Sequence, residues 1–200
     1  MNYLKFKRFV DIFLSIIGLV FLSPIFLILI IWIKLDSKGP IFFKQKRVGI
    51  NKTHFNILKF RTMRIDTPKD TPTHLLENPD EWMTKSGKFL RKTSLDELPQ
   101  IINIIKGDMS IIGPRPALWN QFDLIAERDK YGANDILPGL TGLAQVSGRD
   151  ELPIEVKAKL DGEYNQNISF MMDVKCFFKT ITSVLKREGV VEGKTESEAN

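Results

Sequence analysis

Cysteine and histidine are scarce in this sequence, and their scarcity excludes several kinds of site. Cys176 is the single cysteine, so the chain cannot form an internal disulfide, which suits a reducing compartment. His54 and His74 are the only histidines. A histidine-rich zinc site or a Ser-His-Asp triad is therefore not expected.

Charge is missing from one long stretch of the chain. Residues Ile12 to Ile33 carry no charged side chain. At about 1.5 Å per residue, a helix of this length can cross a hydrocarbon core of roughly 30 Å. The run is too long for the apolar part of a signal peptide, and no A-x-A-like cleavage site follows it. The composition therefore predicts one membrane segment and one soluble domain.

Two features of the apolar run oppose a simple spanning helix. Ser23-Pro24 lies at its centre, and proline removes a backbone hydrogen bond and bends or breaks a helix. The Ser23 hydroxyl can satisfy a freed group locally. Both flanks are basic, whereas a spanning helix is expected to carry its excess of Lys and Arg on one side. These residues leave open a kinked span and a re-entrant hairpin with both ends on one face.

A basic cluster follows the apolar run. Residues 34 to 64 contain nine Lys or Arg side chains and one acid, Asp36, which gives a net charge of +8. Such a cluster is attracted to anionic membrane lipids and to phosphorylated ligands. It is equally compatible with a solvated surface that keeps this end in the cytoplasm. Nucleic acid is not an expected partner, because no groove-reading motif is present.

The rest of the chain predicts a small α+β domain. Residues 40–48 and 53–63 are rich in aromatic and β-branched residues and flank a Gly-Ile-Asn segment, which predicts a β-hairpin. The second strand would place Lys59 and Arg61 on one partly apolar face, which is unusual for a core strand. A polar loop is predicted over 66–87, with a short helical turn near residues 80–83.

Helices are predicted in four further segments, which are residues 98–105, 117–131, 153–165 and 170–187. The first of them ends at Lys106-Gly107, a common glycine stop. The apolar face of the last is broad enough to lie in a membrane interface. Packing of that face on the protein core is the equal alternative.

The segment T-S-L-D-E-L-P-Q places two acids next to each other. Ser94 and Glu97 fit the capping-box pattern of a helix start, and acids at a helix N-terminus need no catalytic role. The same position would keep Asp96 ionised, and a carboxylate can attack phosphorus to form an acyl phosphate. Adjacent acids in a phosphate site usually imply Mg²⁺. Asp96 and Glu97 are therefore candidate catalytic and metal-binding residues, beside the capping alternative.

Two later segments carry single arginines among prolines and glycines. In I-G-P-R-P, Pro114 and Pro116 hold Arg115 extended, and a guanidinium fixed in this way suits bidentate phosphate binding. A surface turn with an incidental arginine is the alternative. P-G-L-T-G-L-A-Q-V-S-G-R ends in Arg149, and its glycines permit close backbone approach to a ligand. No G-K-[ST] follows, so this is not a Walker A loop.

These motifs follow one another along the chain, after an apolar segment with a central Ser-Pro and the strand I-L-K-F-R-T-M. Together they resemble the monotopic phosphoglycosyl transferases, which are also called bacterial sugar transferases. The resemblance covers roughly residues 3–187. It implies a catalytic dyad at Asp96 and Glu97 and a membrane break at Ser23 and Pro24, which favours the re-entrant hairpin. The family's Pro-Arg-Pro loop falls on Pro114, Arg115 and Pro116. Further family-typical positions with less defined roles are Lys59, Arg91, Arg149, Asp161 and Asp173.

The resemblance also implies a ping-pong reaction. Asp96 would attack the sugar-bearing phosphorus of a UDP-sugar, with Mg²⁺ bridging the diphosphate, and UMP would leave. Undecaprenyl phosphate would then take the phosphosugar from Asp96. Arg115, with Lys59 or Arg149, would neutralise the phosphate charge. The expected location is the inner (cytoplasmic) membrane with the catalytic domain on its cytoplasmic face, and downstream glycosyltransferases are candidate partners.

The expected organisation is a membrane-inserted re-entrant helix over residues 1–38, a catalytic domain over 39–188 and a disordered tail over 189–200. Leu143 departs from the family, in which tryptophan is often found there, and the loop at 66–87 is longer than in the shortest members. Two other functions stand as alternatives. A non-catalytic membrane anchor would not depend on Asp96, and a CDP-alcohol phosphotransferase would have several membrane spans.

Overall fold

A computed structural model describes residues 3–67, 79–148 and 152–186. The helices are α1 (Tyr3–Asp36), α2 (Pro79–Trp82), α3 (Lys85–Lys92), α4 (Gln100–Lys106), α5 (Phe122–Asp129), α6 (Ile154–Gln166) and α7 (Phe170–Lys186). The strands are β1 (Phe42–Val48), β2 (His54–Phe60), β3 (Ser110–Ile112) and β4 (Gly139–Thr141). This mixture confirms the α+β prediction. The predicted tail at 189–200 lies outside the described residues, and the domain division stays a prediction.

The apolar N-terminal segment forms one continuous helix, α1, that passes through Ser23 and Pro24. Pro24 has no amide hydrogen to donate to the carbonyl of Val20. The Ser23 hydroxyl donates to that carbonyl instead, over 2.7 Å. The serine thus supplies a hydrogen bond in place of the one that the proline removes, and the helix continues where the family resemblance implies a break. The re-entrant hairpin is therefore not confirmed, although α1 is long and apolar enough to cross a membrane.

α1 lies along the rest of the protein from end to end. Near its start, Asp11 accepts a hydrogen bond of 2.7 Å from the hydroxyl of Ser110. Near its end, Asp36 accepts hydrogen bonds of 2.8 Å from both the amide and the hydroxyl of Ser86. The apolar side chains Phe26, Leu29 and Ile33 form a cluster between these ends with Phe60 and Leu90. Residues 86–110 therefore run antiparallel to α1.

Two helices present apolar side chains that the rest of the described chain does not cover. On α1 the most exposed of them are Phe9, Val20, Phe21, Leu27, Ile28 and Leu35. On α7, Phe170, Met171 and Phe178 are exposed while Cys176 is buried. The broad apolar face of α7 is therefore only partly packed on the core, which leaves the remainder free to contact a membrane interface.

The predicted β-hairpin is confirmed. β1 and β2 pair antiparallel, with a register from Phe42 opposite Phe60 to Val48 opposite His54. Asn51 in the connection has a φ of 51°, a left-handed conformation that asparagine tolerates better than most residues. The hairpin packs on α1, because the ring centroids of Phe26 and Phe60 lie 5.3 Å apart.

The second sheet is a short parallel pair, β3 and β4, held together by glycines. A Cβ on Gly139 would lie 2.1 Å from the Gly113 nitrogen, and one on Gly142 would lie 2.0 Å from the Gly113 oxygen. Distances this short are impossible for real side chains. Gly139 and Gly142 therefore serve a backbone contact inside the protein, rather than the close approach to a ligand that the sequence suggested.

The helix boundaries agree with the sequence to different degrees. α4 ends before Gly107, whose φ of 102° confirms the glycine stop, and α2 confirms the short helical turn near residues 80–83. α5 is shorter than the predicted 117–131 because Leu118 forms a bridge with Arg47 of β1. α3 was not predicted. It begins with a cap in which the Thr84 side chain accepts from the Gly87 amide.

Candidate active site

Asp96 and Glu97 lie on a short 3-10 turn, Leu95–Glu97, between α3 and α4. Ser94 before the turn is left-handed, with a φ of 55°, and its side chain makes no capping hydrogen bond. The backbone carbonyl of Ser94 accepts from the Glu97 amide over 3.3 Å instead. The capping-box prediction is therefore wrong, and the two acids do not serve as the helix cap that was the alternative to a chemical role.

Cations from two other segments converge on this turn. Lys59 of β2 donates a hydrogen bond of 2.7 Å to Glu97 Oε1, and its ammonium lies 3.8 Å from Asp96 Oδ2. Arg115 Nη2 donates to the same Glu97 oxygen over 3.0 Å. Four residues predicted from separate motifs are thus brought together in one site.

The pKa values of the two carboxyl groups shift in opposite directions. Burial raises the pKa of Asp96, and the nearby charge of Glu97 adds to this effect, while Lys59, Arg91 and Arg115 oppose it. Burial also acts to raise the pKa of Glu97, but the charges and hydrogen bonds of Arg115 and Lys59 outweigh it and lower that pKa far below the usual range. Burial thus acts against the ionisation of Asp96 that the sequence analysis expected, and the three cations act in its favour.

Arg91 is the third cation of the site and lies in the last turn of α3. Its Nε donates to the Thr62 hydroxyl over 3.1 Å and its Nη2 to the Met63 sulfur over 3.3 Å. α3 packs directly on this part of the chain, because a Cβ on Gly87 would lie 1.9 Å from the Thr62 oxygen. Arg91 is therefore held close enough for its charge to lower the pKa of Asp96.

The Pro-Arg-Pro segment is fixed on both sides of its arginine. The carbonyl of Pro114 accepts from the Gly139 amide over 2.8 Å, and the carbonyl of Pro116 accepts from Arg47 over 3.0 Å. Both prolines are buried, while the Arg115 side chain remains 41% exposed. This arrangement and the contact with Glu97 oppose the interpretation of Arg115 as an incidental surface residue.

The dyad fits Mg²⁺ in one specific way. Mg²⁺ is usually bound through one or two carboxylates together with substrate phosphates and water. Within residues 3–67, 79–148 and 152–186 there is no group of three or more His, Cys, Asp or Glu side chains that could hold a metal ion. Asp96 and Glu97 therefore fit a cation shared with a diphosphate, and they do not fit a metal site built from protein ligands alone.

Two of the family-typical residues, Asp161 and Asp173, bind partners outside the dyad. Arg149 lies outside the described residues. Asp161 on α6 forms a buried ion pair with Arg128 of α5, at 2.6 Å. Asp173 on α7 lies 2.9 Å from the ammonium of Lys7 and accepts a hydrogen bond of 2.6 Å from the Tyr164 hydroxyl. Asp161 and Asp173 thus join helices to one another.

Arg61 has a role that the sequence analysis missed. Its guanidinium is buried and donates to the Ser37 carbonyl over 2.6 Å and to the Ser37 hydroxyl over 2.8 Å. A cation at the Ser37 carbonyl, just beyond α1, complements the negative C-terminal end of that helix. The position of Arg61 two residues after Lys59 gave no sign of this, because the contact joins β2 to a distant helix end.

Comparison with known proteins decides the family of this chain. The profile of the bacterial sugar transferases matches residues 2–187. The chain belongs to the bacterial sugar transferase family. This confirms the resemblance seen in the motifs and shows that the protein is a transferase, which removes both alternatives, the non-catalytic anchor and the CDP-alcohol phosphotransferase.

Three relatives illustrate the range of this bacterial sugar transferase family. The uncharacterized sugar transferase EpsL of Bacillus subtilis is 40% identical, over 92% of this chain and 89% of its own length. The exopolysaccharide production protein ExoY of Sinorhizobium fredii is 38% identical, over 92% of this chain and 87% of its own. The undecaprenyl-phosphate galactose phosphotransferase of Salmonella typhimurium is 36% identical, and the matched region is 92% of this chain but 41% of that relative.

Proposed function

We propose that this bacterial sugar transferase moves a sugar 1-phosphate from a UDP-sugar to undecaprenyl phosphate and releases UMP. The observation that carries the proposal is the convergence of Lys59, Arg91 and Arg115 on the buried Asp96–Glu97 pair. The name of the Salmonella relative, an undecaprenyl-phosphate galactose phosphotransferase, supports a polyprenyl phosphate acceptor. The reaction would be the first membrane step in assembling a protein glycan, O-antigen, capsule or exopolysaccharide.

The proposed chemistry has two displacements at one phosphorus atom. An oxygen of Asp96 attacks the sugar-bearing phosphorus, the bond from that phosphorus to the bridging oxygen breaks, and UMP leaves with the electron pair. An oxygen of undecaprenyl phosphate then attacks the same phosphorus and the Asp96 carboxylate leaves. The first displacement needs an ionised Asp96, so the cations that lower its pKa against the effect of burial have a direct role in the step.

Glu97 holds the cations of the site in position. It accepts from both Lys59 and Arg115 through one oxygen, which orients two positive groups beside the place where phosphate charge develops. Asp96 and Glu97 would together hold Mg²⁺, which supplies further charge neutralisation for the diphosphate when bound. Arg149 stays a candidate for the same neutralising role.

The apolar surfaces support a location at the inner membrane, with the catalytic domain on the cytoplasmic face. The exposed side chains of α1 and α7 provide contacts with membrane lipids, and the basic residues between 34 and 64 favour anionic head groups. The hydrogen bonds of Asp11 and Asp36 join both ends of α1 to the same domain, which supports the location of both ends on one side of the membrane. Downstream glycosyltransferases would receive the lipid-linked product.

The decisive experiment measures UMP release and covalent adduct formation across a panel of UDP-sugars. Wild-type protein incubated with the preferred UDP-sugar and Mg²⁺, without acceptor, should gain the mass of one phosphosugar. Asp96→Asn keeps the size of the side chain but cannot form an acyl phosphate, so it should show neither adduct nor turnover. Glu97→Gln should lose most activity. Asp80→Asn is the matched control, because Asp80 is 75% exposed and pairs with Lys88 at the surface. Substantial UMP release by Asp96→Asn would rule out the covalent mechanism.

A further inference from the structure

The carboxylate of Asp11 is buried, although it lies on the membrane helix α1. Asp11 as a whole residue is 4% exposed to solvent. Oδ2 accepts from the Ser110 hydroxyl over 2.7 Å and Oδ1 from the Ile111 amide over 3.3 Å, at the start of β3. Lys7 lies 3.7 Å away as a counter-charge. Because a buried carboxylate is costly unless it is paired and hydrogen-bonded, one held in this way next to the apolar run of α1 points to a function beyond anchoring.

Arg8 lies on the same turn of α1 and holds a different segment. Its guanidinium donates to the Ile104 carbonyl over 2.7 Å and to the Met109 carbonyl over 3.1 Å. These carbonyls lie at the C-terminal end of α4 and just beyond it, where a positive charge complements the helix dipole. One turn of α1 therefore binds the end of α4 and the beginning of β3 at the same time.

The two segments held by this turn of α1 lead to the two residues of the Glu97–Arg115 ion pair. α4 begins three residues after Glu97 and is seven residues long, a rigid element of about 10 Å. After β3 the chain passes through Gly113, whose amide donates to the Thr141 carbonyl over 2.8 Å, and reaches Arg115 two residues later. Both paths are held by backbone hydrogen bonds, which involve Leu98 and Ile101 on the first path and Gly113 and Pro114 on the second.

We propose that Asp11 and Arg8 are positioning residues that set the distance between Glu97 and Arg115. We call these two residues the α1 clamp. The inference rests on the proposed function, since it assigns the clamp to the reaction at the dyad. The membrane helix is then part of the active-site framework as well as the lipid anchor, and its docking on the domain determines whether Arg115 is placed to neutralise phosphate charge.

A double-mutant cycle tests the coupling, using UMP release by the full chain in lipid nanodiscs. Asp11→Asn should slow turnover by about 10- to 100-fold, as expected when a catalytic group is displaced by about 1 Å. In an Arg115→Ala background the same change should cost less than about twofold, because the group it positions is already absent. Leu14→Ala, an exposed change one turn along α1, should leave turnover unchanged. Equal losses in both backgrounds would show that Asp11 acts elsewhere and would overturn the proposal.

Hydrogen exchange tests the same inference without relying on activity. Asp11→Asn should increase amide exchange in residues 110–118, while residues 85–92 of α3, which bind the opposite end of α1, exchange as in the wild type. Ser110→Ala removes the same hydrogen bond from the domain side, so it keeps the test available if Asp11→Asn does not fold. Unchanged exchange at 110–118 in both variants would overturn the proposal. If wild-type protein releases no UMP from any UDP-sugar, the proposed function is wrong, and the exchange result still decides whether Asp11 holds β3.

Discussion

The ammonium of Lys59 donates a hydrogen bond of 2.7 Å to Glu97, and the same ammonium lies 3.8 Å from the Asp96 carboxylate. Lys59 is therefore shared between a strongly acidic partner and a carboxyl group whose pKa is raised by burial. An entering diphosphate would compete with Glu97 for this cation. Substrate binding must therefore weaken the contact between Lys59 and Glu97 as the ammonium turns to the diphosphate.

Removing Lys59 should change the pH dependence of the first chemical step. Lys59 lowers the pKa values of both Asp96 and Glu97, so Lys59→Met should raise both. A larger fraction of Asp96 is then protonated at any given pH, and the acid limb of adduct formation should move to higher pH. Lys59→Arg keeps the charge and should leave the limb close to its wild-type position. Adduct formation followed by intact mass against pH measures the shift, and an unmoved limb in Lys59→Met would exclude Lys59 from this role.

Truncating Arg115 should separate catalysis from folding. Arg115→Ala should reduce UMP release by about 100-fold, the order of loss seen when a group that stabilises transition-state charge is removed. Thermal stability should be nearly unchanged, because Pro114 and Pro116 are held by their own hydrogen bonds with Gly139 and Arg47. Arg115→Lys should be intermediate, since it keeps the charge and loses the planar fork. Near-normal turnover in Arg115→Ala would show that Arg115 is an incidental arginine in a surface turn.

Cysteine labelling tests the topology of α1. Leu4 and Lys38 are exposed near the two ends of the helix, and single cysteines at these positions should both react with a membrane-impermeant reagent from the cytoplasmic side. The native Cys176 is buried, so wild-type protein is the background control. Reaction of Leu4→Cys only from outside would contradict entry and exit on one face.

The buried pair of Arg128 and Asp161 should contribute to stability. Asp161→Asn leaves a buried guanidinium without its counter-charge and should lower the free energy of unfolding by about 3–5 kcal/mol. Lys130→Ala removes an ion pair with Glu127 whose lysine is largely exposed, and the unfolding midpoint should barely change. Thermal unfolding in the same lipid environment compares the two variants. A small effect of Asp161→Asn would mean that water reaches this pair.

Local patterns in the sequence were enough to predict much of the fold. Gly107 stops α4 because only glycine adopts its backbone conformation without strain. The Ser23 hydroxyl compensates for Pro24 because the freed carbonyl lies one turn earlier on the same helix. The motifs also predicted a site at Asp96, Glu97, Lys59 and Arg115, and the structure brings these four side chains together. Each of these features depends on neighbours in the chain or on residue type.

The features that were missed depend on contacts between distant segments. Ser94 is left-handed because the chain must turn from α3 towards α4, and the S-x-x-E pattern contains no information on that turn. Gly139 permits contact with the Gly113 backbone, which no local pattern shows. The buried guanidinium of Arg61 binds a helix end that is 24 residues away in the chain. Three-dimensional packing determines these positions, so sequence reasoning alone could not assign them.

The partners of Lys7 are made at very different times during synthesis. Asp11 follows within one helical turn, 3.7 Å from the ammonium in the finished protein, whereas Asp173 is translated 166 residues after Lys7. At about 5–20 residues per second, Asp173 appears on the order of ten seconds later. During that interval the i, i+4 pair gives each of the two charges a counter-ion within the helix. Lys7 and Asp11 can therefore neutralise each other on the ribosome before the domain exists to receive them.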